Sequence, residues 1–280
     1  MNALVLQSDF GTDDGAVSAM YGVAMCVDSN LRIFDNTHGI EPYNIMEAGF
    51  RLFQTVNYWP EGTVFVSVVD PGVGSDRRSI VVKLKNNQYV VTPDNGTITF
   101  INKKIGITEA RIINETKNRR PDSNESYTFH GRDVYAFTGA KLASGKISFE
   151  EIGDKIDLDT LVELNVEKPF IDNDEVNGVI EILDVRFGSL WTNIDRELFK
   201  KINVDYGDRV IVRIIHENRT VYSNTMLFGR TFLDVSQGEA LVYVNSLDTM
   251  AIAINQGSFA KAYNIGTGDS WKIKISKYKN

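Results

Sequence analysis

Two short segments carry the residue types for solution chemistry. The first is Asp70-Pro71-Gly72-Val73-Gly74-Ser75-Asp76-Arg77-Arg78, and the second is Phe129-His130-Gly131-Arg132-Asp133. Asp70 ends the strand-like run Thr63-Val64-Phe65-Val66-Ser67-Val68-Val69. It is therefore expected at the carboxyl end of a buried strand, where open α/β sheets build their ligand sites. Pro71, Gly72 and Gly74 set a tight turn ahead of the arginine pair. His130 precedes Gly131 and the helix-opening Arg132-Asp133, a second loop of the same kind. A lone histidine is more often structural than catalytic, but a carboxylate, a guanidinium and an imidazole gathered there could orient and polarise one water molecule.

Further candidates lie at other loops. Ser8-Asp9-Phe10-Gly11-Thr12-Asp13-Asp14-Gly15 closes a first strand and opens a helix. Asp13 or Asp14 would cap that helix, while Asp9 could accept two hydrogen bonds from a ribose diol. A calcium-holding aspartate cluster of the nucleoside-hydrolase kind is the competing reading, weakened by Gln7 where a further aspartate belongs. His38, in Asn36-Thr37-His38-Gly39, follows a strand but lacks a charged setting like that of His130, and His216 reads as structural. Pro93-Asp94-Asn95-Gly96 is first of all a turn signal. Gly188, in Phe187-Gly188-Ser189-Leu190-Trp191-Thr192-Asn193, admits either close backbone approach to a ligand or a β-bulge.

The elements that must position these residues change character along the chain. In the first half, Ala3-Leu4-Val5-Leu6 and Arg32-Ile33-Phe34-Asp35 read as strands. Val17, Met20, Val23, Ala24 and Val27 recur at helical spacing, and Asn44 caps a helix with inner face Ile45, Ala48, Leu52, Phe53 and Val56. Ser79 to Leu84 and Gln88 to Val91 flank Asn86-Asn87, a hairpin signal. Val134 to Leu142 reads as a helix stopping near Ser144-Gly145. This alternation predicts a mostly parallel sheet with flanking helices over residues 1–167. Lys168-Pro169-Phe170-Ile171-Asp172-Asn173-Asp174 reads as a linker. Closely spaced β-type runs follow, predicting a smaller all-β barrel or sandwich over residues 175–280.

Composition narrows the class of function. The chain of 280 residues is 42% hydrophobic and 24% charged, as in an ordinary globular protein. A formal charge of −7 without a basic stripe argues against nucleic-acid binding. Lys117-Asn118-Arg119-Arg120, the densest basic cluster, reads as a solvated loop. Cys26, the single cysteine, excludes an internal disulfide and a cysteine-rich zinc site, and is expected as a small buried hydrophobe. Without an amino-terminal leader pattern or a membrane-length apolar run, a cytoplasmic location is expected.

In order along nearly the whole chain, these segments resemble the S-adenosylmethionine hydroxide adenosyltransferase family, hydrolase relatives of the fluorinase and chlorinase enzymes. Ser8-Asp9-Phe10-Gly11, Asp70 to Gly74 with Arg77, Pro93 to Gly96 and Phe129 to Asp133 carry the resemblance in the first half. Asp184 with Phe187-Gly188, Trp191 to Ile194, and Asn245-Ser246 carry it in the second. The resemblance implies metal-independent hydrolysis of S-adenosyl-L-methionine to adenosine and L-methionine, with no cofactor, by water attacking ribose C5′. It puts the catalytic set on Asp70, Arg77 and His130, where the halogenating relatives carry tyrosine and serine in place of Asp70 and His130. It assigns Asp9 to the ribose hydroxyls, Tyr43 to the sugar face, Asp184 and Ser246 to the methionine end, and Phe232 to the adenine. Ser189 stands where the family usually has an asparagine, which bears on an adenine contact. It further implies a homotrimer with substrate at subunit interfaces. An adenosyl halide synthase and a non-catalytic adenosine or S-adenosylmethionine binder are the alternatives.

Overall fold

The computed structural model describes residues 2–123 and 125–279, and the chain divides into two compact units after Leu164. The first unit contains β1 (Ala3–Ser8), α1 (Ala16–Val27), β2 (Arg32–Thr37), α2 (Ile45–Val56), β3 (Val64–Val68), β4 (Ser79–Leu84), β5 (Tyr89–Pro93), α3 (Thr99–Lys104), β6 (Ile107–Ile112), α4 (Glu115–Asn118), α5 (Phe137–Ala143) and β7 (Lys155–Ile156). Its seven-stranded sheet has the order β2-β1-β3-β5-β4-β6-β7. The pairs β2–β1, β1–β3 and β3–β5 are parallel, and the far half is antiparallel.

Strand periodicity sorts the core into two layers, because successive side chains leave a strand on opposite faces. Leu4, Leu6, Val64, Val66 and Val68 pack with Met20 and Ala24 of α1 and Ala140 of α5. Val5 and Phe65, between them in sequence, face the other way toward Leu52 and Val56 of α2 and Ile101 of α3. Both strands are therefore buried on two sides, which explains why they are mostly apolar without alternation, with Gln7, Ser8 and Ser67 the buried polar exceptions. The side chain of Asn44 accepts the Glu47 amide and so caps α2. Gly139 lets α5 lie close against β3: a Cβ there would sit 2.5 Å from Val66 Cγ2.

The second unit contains β8 (Phe170–Asp172), β9 (Glu175–Leu183), β10 (Leu190–Asp195), α6 (Arg196–Lys200), β11 (Arg209–His216), β12 (Arg219–Phe228), β13 (Ala240–Val244), β14 (Thr249–Ile254), α7 (Phe259–Tyr263) and β15 (Trp271–Lys277). The strand order β10-β14-β13-β12-β11-β15-β9 closes on itself through the β9–β10 pairing, so a seven-stranded barrel forms, with β8 added alongside β9. Val176, Ile180, Val210, Val212, Ile214 and Ile273 fill it. The five-residue helices α6 and α7 contribute Phe199 and Phe259. Helices this short leave no readable periodicity in the sequence.

Three sequence expectations are corrected. Residues 170–172 are a strand, and Asn173 and Asp174, both at positive φ, make the tight turn of a β8–β9 hairpin rather than a linker. Cys26 is exposed on α1, not buried. Lys117 to Arg120 is not a solvated loop: Asn118 is buried and Arg119 is only 9% exposed. Among the described residues, no helix is long and apolar enough to cross a membrane.

Candidate active site

The site begins where β3 ends. Asp70 lies just past the strand, and the following turn is closed by the Val73 amide donating to the Asp70 carbonyl and the Ser75 amide to that of Gly72. That turn returns the chain so that Arg77 faces Asp70 in a bidentate pair, Nε to Oδ1 at 2.8 Å and Nη2 to Oδ2 at 2.5 Å. Arg77 Nη1 donates to Ser79 Oγ at 3.0 Å, and Nη2 lies 2.9 Å from His130 Nδ1. Residues 70, 77 and 130, distant in sequence, thus meet at one guanidinium. His130 is 5% exposed and enters a π-helical turn, Gly131–Ala136, that runs directly into α5.

A second guanidinium approaches the same ring. Arg119 Nη2 lies 2.9 Å from His130 Nε2 and also donates to Glu115 Oε2 at 2.7 Å, while its plane stacks over Tyr127 at 5.3 Å. Glu115 Oε1 accepts from Ser79 Oγ at 3.0 Å, which joins the two arginine–carboxylate pairs through one hydroxyl. The buried Tyr135 hydroxyl lies 3.3 Å from Ser79 Oγ and 3.4 Å from Asp70 Oδ2. Burial lowers the pKa of His130 below its ordinary 6.5; Arg77 and Arg119 push the same way, against the Glu115 and Asp70 carboxylates. Burial would raise Glu115, but the bonds from Arg119 and Ser79 hold it below the usual carboxylate value. Burial likewise works against the charge on Arg77, yet its bond to Asp70 keeps its pKa raised. Ser79, Glu115, Arg119 and Tyr135 join the site although the sequence alone assigns none of them a site role. The one available signal was Glu115 and Arg119 at helical i,i+4 spacing across the basic cluster.

The turn after β1 packs beside this cluster. Phe10 meets Phe129 edge to face at 5.6 Å, and a Cβ on Gly131 would lie 3.1 Å from both Phe10 and Val68. Asp9 Oδ2 accepts the Tyr43 amide at 2.8 Å, so the two residues assigned to the sugar are neighbours. Tyr43 holds a positive φ and is 73% exposed. His38 does have a charged setting, contrary to the sequence expectation. Its Nδ1 contacts the buried Ser8 Oγ at 2.7 Å and its Nε2 contacts Asp35 Oδ1 at 2.9 Å, an oxygen that also accepts from Tyr21 at 2.5 Å. The Ser8 hydroxyl in turn accepts the Phe10 amide at 3.3 Å. Gln7 is buried and fully engaged, donating to Ala48 O and Ser67 Oγ and accepting from Asn36. Among the described residues, no three or more His, Cys, Asp or Glu side chains gather as metal ligands.

The remaining expected residues lie in the barrel unit. Asp184, Ser189, Phe232 and Ser246 line one cavity of about 730 Å³, together with Phe187, Trp191, Tyr243 and Asn255, among others. Tyr243 packs on Phe232 at 5.1 Å, and burial raises its hydroxyl pKa. Gly188 sits in a turn rather than a bulge: at φ 67° its missing Cβ makes room for Ser258, the cap of α7, and its carbonyl accepts the Ala260 amide. Asp94 is structural, binding Arg78 and the Val162 amide, and Asn95 holds the Val69 carbonyl. His216 stacks on Trp271 at 4.1 Å.

Comparison with known proteins agrees with both halves. A family model described as the SAM hydroxide adenosyltransferase N-terminal domain matches residues 4–153, and the corresponding C-terminal domain matches residues 178–272. An (R)-S-adenosyl-L-methionine hydrolase of Methanocaldococcus jannaschii is 31% identical, covering 98% of this chain and 96% of its own. A fluorinase of Actinopolyspora mzabensis is 27% identical over 98% of this chain and 97% of its own. The crystal structure of an uncharacterized conserved protein from Thermotoga maritima superposes with a TM-score of 0.88 at 34% identity, covering 98% of this chain and 99% of that one. The chain belongs to the SAM hydroxide adenosyltransferase family.

Proposed function

We propose that this protein hydrolyses S-adenosyl-L-methionine to adenosine and L-methionine by direct attack of water on ribose C5′. The observation that carries the reading is the convergence of Asp70, Arg77 and His130 on one guanidinium at the carboxyl end of β3. The sulfonium is already a good leaving group. As the water oxygen bonds to C5′, the C5′–S bond breaks and its electron pair stays on sulfur, giving a neutral thioether; the water gives up one proton. No acid is needed at the leaving group, so the protein's task is to place a weak nucleophile in line. Such positioning is worth up to roughly 7–11 kcal/mol in ideal cases.

Asp70 is the proton acceptor in this reading. A carboxylate has about four lone-pair sites, and Arg77 occupies one on each oxygen, so acceptor capacity remains for a water. Arg77 stabilises developing hydroxide, and His130, in contact with the same guanidinium, helps hold it in place. Asp9 takes the ribose diol with Tyr43 on the sugar face. Asp184 and Ser246 take the amino-acid end, Ser189 stands on the adenine side, and Phe232 stacks on the base. No metal or other cofactor takes part. The working assembly in this reading is a homotrimer, each substrate held by residues of two subunits. The exposure of Tyr43, Phe187 and Phe232 in the single chain supports such cover.

Likeness to named fluorinases sustains a second reading, adenosyl halide formation. Incubation with S-adenosylmethionine, with and without chloride and with chelator present, separates the readings. Adenosine and methionine in equal amounts, indifferent to both additions, are expected. A 5′-chloro nucleoside would establish the second reading, chelator-sensitive release of free adenine would point to a calcium nucleoside hydrolase, and tight binding without any product would leave a binding protein.

A further inference from the structure

We infer that Arg119 is a positioning residue of this site, which together with Arg77 brackets the His130 imidazole so that the ring stays uncharged and holds a guanidinium in place rather than taking the proton of the water. Each ring nitrogen has a guanidinium nitrogen 2.9 Å away, Arg77 Nη2 at Nδ1 and Arg119 Nη2 at Nε2. A guanidinium can only donate, and a neutral imidazole has one acceptor nitrogen. The ring can therefore satisfy one arginine at a time. Protonation would satisfy neither, and would add a third positive charge between the two already present. The proposed substrate is itself a cation, so an imidazolium here would also repel the sulfonium.

The groups facing the ring come from every neighbouring segment: Asp70 and Arg77 from the loop after β3, Glu115 on α4 and Arg119 just beyond it, and the Tyr127 ring at 6.4 Å. The two carboxylates pull toward protonation, but each is bound to one of the arginines. The lowered pKa of His130 agrees in direction. Arg119 is held by Glu115 on one side and by Tyr127 across its face, and among the described residues its buried Nη1 has no hydrogen-bond partner.

The test is a titration of ring-labelled histidine in the ligand-free protein, followed by nuclear magnetic resonance, with His130 assigned through His130→Gln. The bracket itself stands on geometry alone; only its role in turnover rests on the proposed hydrolysis, so the titration remains informative if that reading fails. His130 in the natural protein is expected to titrate below the ordinary imidazole range. Arg119→Gln is expected to raise the midpoint by about one pH unit or more, the common scale for a lost neighbouring charge, whereas Arg119→Lys leaves it depressed. In turnover, Arg119→Gln is expected to lower kcat by about 10- to 100-fold with KM little changed, and to add an acid limb at the pH where His130 now titrates. An ordinary midpoint in the natural protein, or one unmoved by Arg119→Gln, would overturn the inference. Should Arg119→Gln fail to fold, the natural protein and Arg119→Lys still decide it.

Discussion

Arg77 distributes its donors over Asp70, Ser79 and His130, so three groups of the site are fixed by a single planar cation. Asp70 and His130 differ in what that contact does to them. The carboxylate gains a bidentate partner and remains an acceptor, whereas the imidazole is opposed by like charge. Asp70→Asn keeps the shape and removes the carboxylate that would take the proton. It is expected to cost roughly 10²–10⁴-fold in kcat with substrate affinity little changed, read from adenosine release and from calorimetric binding; an equal loss of both would make Asp70 a scaffold residue. The same environment sets the acid response of the fold. In the window between its depressed folded value and the ordinary 6.5, His130 binds fewer protons folded than unfolded, so stability rises with pH there and is complete above it. Glu115 and Asp133 are held low by their arginine partners against the effect of burial, which gives the same sign at lower pH. The urea midpoint is expected to be level above pH 7 and to fall as the pH drops below about 6.5. His130→Gln should remove the upper part of that slope, and a midpoint rising on acidification would contradict the assignment.

Elements carry these residues with uneven tolerance. The turn bearing Asp9 is anchored by Ser8, which is linked through His38 to Asp35 and Tyr21. His38→Ala is expected to raise KM more than it lowers kcat, because it loosens the turn carrying Asp9, to which the proposed reading gives the sugar, and leaves Asp70 and Arg77 alone; a pure kcat effect would refute that separation. Gly139→Ala sets two effects against each other. Alanine gains about 1 kcal/mol of helix propensity, but its Cβ would press on the Val66 side chain of the buried β3, and overpacking costs typically 1–3 kcal/mol. A lowered melting temperature is expected. At this scale, legibility followed length and regularity. α2 could be read because Asn44 caps a twelve-residue amphipathic run. α4, only four residues long, leaves no period to read, whereas the helix read from Val134 onward starts in the structure as a π-helical turn at Gly131–Ala136. A helix as short as α4 is why Arg119, within Lys117 to Arg120, reads as part of a solvated loop and Glu115 just before it carries no signal of its own.

At the scale of the whole molecule, the two architectures were legible for different reasons. The first unit announced itself through strands buried on both faces. Barrel could not be told from sandwich in the second, because the ring closed by the β9–β10 pairing also needs β15 to pair with β9, nearly the full unit away in sequence. The expected substrate residues fall within both units, and the apolar side chains left exposed near them, Phe187 and Leu233 among them, suit burial by a neighbouring subunit. Light scattering is expected to return three times the 31.4 kDa chain mass; a monomer that is fully active would contradict the shared-site assembly. The central claim is that solvent oxygen bonds to ribose C5′. Turnover of S-adenosylmethionine in ¹⁸O-labelled water, with products resolved by mass spectrometry, tests it most directly. One heavy oxygen in the 5′-hydroxyl of adenosine and none in methionine is the expected result, and unlabelled adenosine, a halogenated nucleoside or label in the sulfur-containing product would contradict it.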